Sequence, residues 1–169
     1  MEYNRIIIVG SPGSGKSYFS KRIAAVTGYP LFHLDNEYWQ PNWVGTPRNE
    51  WIEKQQSIIG GTKWIIDGNY DSTLKLRYEA ADLIIDLNIN RYLCMWSAMK
   101  RHGKKRSDFP THCVEKIDKE FVDFLKFIWK FPIANRKKII ALRDQYPNKA
   151  YIEMKSRRQA SQWIKMLEA

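Results

Sequence analysis

An α/β fold around a parallel sheet is predicted by two features of the sequence: short β-like runs alternate with stretches of helical periodicity, and those runs are apolar on successive residues. Continuous rather than alternating hydrophobicity marks strands covered on both faces. The 169-residue length predicts one domain over 1–169. A hydrophobic content of 44% and a charged content of 27% exclude a disordered tail protein, a fibrous repeat and a disulfide miniprotein.

The first strand candidate is Arg5–Val9, followed by a helix over Lys16–Thr27 that sets Phe19, Ile23 and Val26 on one face. Leu31–Leu34 is the second strand. Asn36–Pro47 then reads as a long polar loop punctuated by Trp39, Pro41, Trp43 and Pro47, and with the helix Arg48–Ile59 (Trp51, Ile52, Gln55, Ile58, Ile59 on one face) it makes an insertion over about 36–60. Trp64–Ile66 and Leu83–Leu87 are the third and fourth strands. His102–His112, basic and broken by Gly103 and Pro110, is a second long loop, and a lid is expected over about 102–114. Glu115–Lys130 has helical spacing, with Pro132 ending that helix and opening the next, which runs to about Tyr146. Ala150–Met154 is the last strand and Arg157–Leu167 the last helix. No repeat or low-complexity segment interrupts this series.

No apolar run approaches the ~20 residues of a membrane span, so no membrane partner is expected. The chain enters a strand by Arg5, which leaves no room for a signal peptide, and two cysteines imply no disulfide framework. A cytoplasmic location is the resulting expectation. The net charge of +10 is uneven: −1 over residues 1–90 and +11 over 91–169, with six cations and no acid between Arg91 and Ser107. An anion is therefore expected to be handled by the C-terminal half, either nucleotide phosphates or a nucleic acid backbone.

The chemistry begins at Gly10, Ser11, Pro12, Gly13, Ser14, Gly15, Lys16 and Ser17, which read G-x-x-x-x-G-K-S between the first strand and the first helix. That context makes the motif a phosphate cradle: the turn points backbone N–H groups inward, and the helix N-terminus adds its free donors and partial positive charge. Lys16 is expected on the β- and γ-phosphates of ATP and the Ser17 hydroxyl on Mg²⁺. An N-K-x-D base-recognition signature is missing, since Asn148-Lys149 is followed by Ala150 and Tyr151. This leaves a compact kinase or a nucleotide-gated switch.

Asp35, after the second strand, can take a proton from an acceptor hydroxyl or hold water on Mg²⁺, or it caps a turn. Asp67, closing the third strand before Gly68, reads as the Mg²⁺-organising acid, and Asp86 is the weaker candidate for that role. Arg77 either reaches an acceptor anion or pairs with nearby Glu79 and Asp82. Trp39, Trp43 and Trp51 either wall an acceptor site or pack a lid on the core. Arg101 and Arg106 in the lid, with Arg136 beyond Pro132, are expected to neutralise a transferring phosphoryl group. Arg157, in the loop Lys155–Arg158 after the last strand, either lies beside the nucleotide or is a surface charge. His102, His112 and Cys113 lack zinc-ligand spacing.

Together the Gly10–Ser17 cradle, Asp35, the Asp67-Gly68 turn and the basic lid resemble the adenylate-kinase-like P-loop kinases. Leu34-Asp35 followed by Trp39, Pro41, Trp43 and Glu50-Trp51, with Trp64–Tyr70 and Phe131-Pro132, is similar to the topology modulation protein (FlaR) family, from Ile6 to about Leu142. The resemblance implies a three-layer P-loop NTPase fold with a five-stranded parallel sheet, helices on both faces, a short lid, an ATP or GTP site and an acceptor site under the lids. The chain departs from long-form adenylate kinases in having no four-cysteine zinc site. It also has Asp67-Gly68-Asn69-Tyr70 where they carry Asp-Gly-Phe-Pro-Arg, which bears against AMP as the acceptor. Two functions follow as expectations: ATP-dependent phosphorylation of a small molecule, nucleoside- or nucleotide-like, and a nucleotide-dependent regulator associated with DNA. The oligomeric state is not legible.

Overall fold

The computed structural model describes residues 3–103 and 119–168. Arg106, most of the expected lid over 102–114 and the first residues of the Glu115–Lys130 helix lie outside the described residues. Five strands form one parallel sheet: β1 (Arg5–Gly10), β2 (Leu31–His33), β5 (Trp64–Asp67), β6 (Leu83–Leu87) and β7 (Ala150–Met154), in the order β2-β5-β1-β6-β7. The sequence order of the strands therefore differs from their spatial order, and β1, which carries the glycine-rich turn, sits in the middle.

Helices cover both faces. Ile6, Ile8, Ile65, Leu83 and Ile85 pack against Phe19 and Ile23 of α1 (Lys16–Thr27), Cys94 and Ala98 of α5 (Arg91–Arg101) and Ile164 of α8 (Arg157–Glu168). Ile7, Val9, Ile66 and Ile84 pack on the other face against Trp51 of α3 (Arg48–Ile59), Leu74 and Tyr78 of α4 (Leu74–Ala80) and Ile139 of α7 (Arg136–Gln145). α6 (Lys119–Ala134) serves both cores through Ile128 and Phe131. Strands buried on both sides explain the unbroken apolar runs. None of the described helices is long and apolar enough to cross a membrane.

Two expectations are corrected. The stretch Asn36–Pro47 is not an open loop. β2 ends at His33, Leu34–Tyr38 forms the short helix α2, and Trp39–Gln40 (β3) pairs antiparallel with Val44–Gly45 (β4) around a 3₁₀ turn at Pro41–Trp43. Pro132 does not end α6, which runs two residues further to Ala134; α7 starts only at Arg136. Ile128 and Phe131 are anchored in the two cores, so packing holds the last turn of α6 in place despite the missing proline N–H.

The carboxyl ends of the central strands lie level. Gly10 of β1 pairs with Leu87, Ile8 with Asp67, and Asp67 in turn with His33 of β2. The turn after β1, the acid ending β5 and the start of α2 therefore meet at one end of the sheet, where an open α/β sheet offers its ligand crevice.

Candidate phosphate-binding site

The turn between β1 and α1 is braced on every side. Gly13 has φ +81°, and a Cβ there would collide with the carbonyl of Cys94, so only glycine lets the turn lie on α5. Arg157, at the start of α8, donates to the Gly13 carbonyl at 2.9 Å and to Ser97 Oγ at 2.6 Å. Arg157 thus contacts the turn directly.

Lys16 folds back over the turn, its Nζ donating to the carbonyls of Gly10 (3.0 Å) and Ser11 (3.1 Å). Burial pushes the ammonium below its ordinary pKa, the carboxylates of Asp67 and Asp35 oppose that shift, and the Arg101 guanidinium adds to it. Three of the residues expected at the site, Asp35, Asp67 and Arg101, therefore each act electrostatically on Lys16. Ser17 is the second residue of α1 and half-buried at the mouth of the turn.

Asp67 is 5% exposed. Its Oδ2 lies 2.9 Å from His33 Nδ1, whereas Oδ1 is buried without a hydrogen-bond partner among the described residues. An orphaned carboxylate oxygen beside a phosphate turn is a donor atom waiting for a cation. No group of three or more His, Cys, Asp or Glu capable of holding a metal occurs among the described residues. A cation here would draw mainly on phosphate oxygens and water, with one protein carboxylate. Mg²⁺ takes that donor set and Zn²⁺ does not, so the residues present fit Mg²⁺.

Asp35 is in the first turn of α2, and its Oδ1 accepts from the Tyr70 hydroxyl at 2.8 Å. Burial, reinforced by the Asp35 charge, drives the Tyr70 pKa far up, so the hydroxyl remains a donor. Tyr70, Tyr38 and Trp51 form a triangle of rings with centroids 4.8–5.1 Å apart. Trp51, 2% exposed, belongs to the core. Trp39 and Trp43 meet edge to face at 5.5 Å, with Trp43 37% exposed at the surface of the β3–β4 ribbon. Of the three tryptophans, Trp51 is therefore the one that packs on the core.

Three residues depart from their expected places. Arg77 is fully buried and reaches no acceptor anion. It donates to Gln55 Oε1 (2.7 Å), Thr73 Oγ1 (2.9 Å) and the Asn69 carbonyl, and burial pushes its pKa down to about 9, which leaves it charged at neutral pH. Asp86 is a buried ion-pair partner, with Oδ2 accepting from Arg136 Nε (3.2 Å) and the Tyr151 hydroxyl (2.7 Å), and with Oδ1, like that of Asp67, buried without a partner among the described residues. Arg136, expected among the phosphoryl-neutralising cations, is engaged here by Asp86 and by Glu153 at 2.7 Å.

Sequence reasoning gave no role to Asn69 or His33. The Asn69 side chain pairs both ways with the Gly10 peptide, accepting from its N–H (3.0 Å) and donating to its carbonyl (2.8 Å). Its position just past the Asp67-Gly68 turn is the only signal that pointed there. Gly68, with φ +141° and its Cα facing Leu34, carries Asn69 across to β1; a Cβ at Gly68 would stand 2.8 Å from the Leu34 Cβ.

No protein-family model matches the chain, and no curated protein matches it in sequence. Solved structures do. The chain superposes on shikimate kinase from Acinetobacter baumannii in complex with shikimate with TM-score 0.57 and 10% identity, over 99% of this chain and 94% of that one. It superposes on a gluconokinase from Sinorhizobium meliloti with TM-score 0.54 and 12% identity, over 97% and 89%. Against deoxyadenosine kinase from M. mycoides, bound to the products dCMP and dCDP, the values are 0.51 and 16%, over 96% and 95%. At these identities the likeness establishes the fold alone, one that the chain shares with these three kinases.

Proposed function

We propose that this protein is an ATP-dependent kinase that transfers the γ-phosphoryl group to a hydroxyl of a small molecule. The observation that carries the reading is the convergence on one turn of the Lys16 ammonium, the orphaned oxygen of Asp67 and the Asp35 carboxylate. The phosphate turn supplies inward N–H donors for the β- and γ-phosphates, and Lys16 exchanges its two carbonyl partners for phosphate oxygens. Ser17 and Asp67 hold Mg²⁺, which screens charge on the phosphates when bound. Asp35, fixed by Tyr70, accepts the proton of the acceptor hydroxyl. Arg101 supports the phosphoryl group from the end of α5, and Arg157 lies beside the nucleotide. The aromatic insertion about 36–60 forms the acceptor side. The small-molecule kinases that share the fold, acting in their own names on shikimate, gluconate and deoxyadenosine, support the reaction class and leave the acceptor open. The likeness to the topology modulation proteins rests on sequence motifs alone, from Leu34-Asp35 and the tryptophan and proline spacing to Trp64–Tyr70 and Phe131-Pro132.

Lys16→Ala tests the reading. It is expected to abolish ATP turnover in the presence of Mg²⁺, at a far-ultraviolet circular dichroism spectrum and melting temperature close to those of the parent. Full turnover by the variant, assayed as ADP released against a panel of nucleosides, nucleotides and sugar-like alcohols, would overturn it.

A further inference from the structure

We propose that His33 is a positioning residue that holds Asp67 so that one of its carboxylate oxygens stays bare for the cation of the nucleotide complex; this rests on the reading of Asp67 as a metal-holding acid. Parallel pairing of β2 and β5 sets His33 directly opposite Asp67, so the two side chains leave the sheet on the same face. They meet at 2.9 Å through Nδ1 and Oδ2, with His33 10% and Asp67 5% exposed. A carboxylate turns about two torsions, and with water excluded a single donor decides which oxygen is satisfied. The ring takes Oδ2, and Oδ1 remains buried, unpartnered and within the field of Lys16.

The neighbouring acid is treated differently. Asp35 is held by a phenol on the β5–α4 connection, Asp67 by an imidazole on the adjacent strand. Each carboxylate thus has its own dedicated donor. Without the imidazole, both oxygens of Asp67 would be unsatisfied, and the side chain would be drawn to the Lys16 ammonium with which it already interacts electrostatically, closing the place where the cation should stand. Outer partners of metal ligands typically account for 10- to 100-fold in metal affinity.

The test uses the full chain with Mn²⁺ as a paramagnetic probe. Mn²⁺ binding to the protein saturated with ADP is measured by electron paramagnetic resonance, and ADP binding in EDTA by calorimetry. His33→Leu, which removes the donor at similar bulk, is expected to weaken Mn²⁺ binding by about tenfold and to leave metal-free ADP binding unchanged. His33→Asn is expected to restore it, because the amide nitrogen of asparagine stands as many bonds from Cα as Nδ1. His33→Gln, whose nitrogen is one bond further out, is not. The Asn/Gln contrast decides the matter should the leucine variant fail to fold. Asp67→Asn is expected to show the same loss, and the double variant with His33→Leu no further loss. If Asp67→Asn is impaired and all His33 variants bind Mn²⁺ like the parent, His33 is a packing residue and the reading of Asp67 survives. If Asp67→Asn binds Mn²⁺ like the parent, that reading fails and the role of His33 with it.

Discussion

The Gly10 carbonyl accepts from two groups at once, Lys16 Nζ at 3.0 Å and Asn69 Nδ2 at 2.8 Å, while the Gly10 N–H is taken by Asn69 Oδ1. One side-chain amide therefore fixes the two peptide units on either side of Gly10 relative to each other, and with them the carbonyl on which the lysine rests. Each such hydrogen bond contributes about 0.5–1.5 kcal/mol net. Asn69→Ala removes two and leaves the Gly10 N–H without its partner. The turn then has to be ordered by the ligand, and part of the binding free energy goes into that ordering. Mg·ATP affinity is expected to fall about 5- to 30-fold, the factor that corresponds to one or two kcal/mol, with the melting temperature lowered only slightly. Calorimetric titration checks this; an unchanged Kd would show that the turn stands without the amide.

At the scale of elements, the segment from Gly68 to α4 is organised by a guanidinium with no carboxylate bound to it in any described hydrogen bond. Arg77 ties Gln55 of α3, Thr73 before α4 and the Asn69 carbonyl into one unit. A buried cation is costly unless its donors find partners; the planar fork lets the two terminal nitrogens of Arg77 reach three of them, while Nε is buried without a partner among the described residues. Arg77→Lys keeps the charge and loses the fork; a buried ammonium in that place also sheds its proton more readily. A loss of about 2–4 kcal/mol in urea unfolding is expected from the hydrogen bonds to a charged group that disappear, together with weaker nucleotide binding because the Asn69 carbonyl is released. A fully stable Arg77→Lys protein with parental nucleotide affinity would sever that connection. The same residue marks the limit of what the sequence discloses. Strands covered on both faces advertise themselves as continuous apolar runs, and the phosphate turn is legible because its function is carried by contiguous residues. Arg77 looks like any helical arginine near acids, since nothing local says that its neighbours Leu74 and Tyr78 take it inside. His33 and Asn69 become meaningful only through pairing between strands distant in sequence, and the β3–β4 ribbon only through a turn in which Asn42 and Trp43 adopt positive φ. Pro132 misleads for a related reason: its local signal to stop is outweighed by tertiary anchoring of Phe131.

Across the whole molecule, the basic surplus of the C-terminal half is partly turned inward. Lys138 binds Asp71, Lys149 binds the Ala81 carbonyl, Arg157 binds the phosphate turn, and Arg136 bridges Asp86 and Glu153 on neighbouring strands. These contacts fasten the last βα unit to the half of the chain that carries the turn, so a count of charges overstates what is available to an external polyanion. The Arg136 bridge is the most deeply set, with Arg136 15% and Asp86 0% exposed. Burial already raises the Asp86 pKa, against the lowering effects of the Tyr151 hydroxyl and the Arg136 charge. Arg136→Met removes the cation and leaves the Tyr151 hydroxyl as the remaining donor, so the folded-state pKa of Asp86 climbs further above its unfolded value. Between those two values the folded chain holds a proton that the unfolded chain does not, and stability then falls as pH rises. The deficit of the variant is therefore fully present above the raised pKa and shrinks as acid protonates Asp86. A loss of about 3 kcal/mol at pH 7, the lower end for a broken buried pair, is expected to diminish at pH 5. Urea unfolding of parent and variant at both pH values measures it; a deficit that stays constant or grows on acidification would mean that Asp86 is not the group left exposed to the cost of burial.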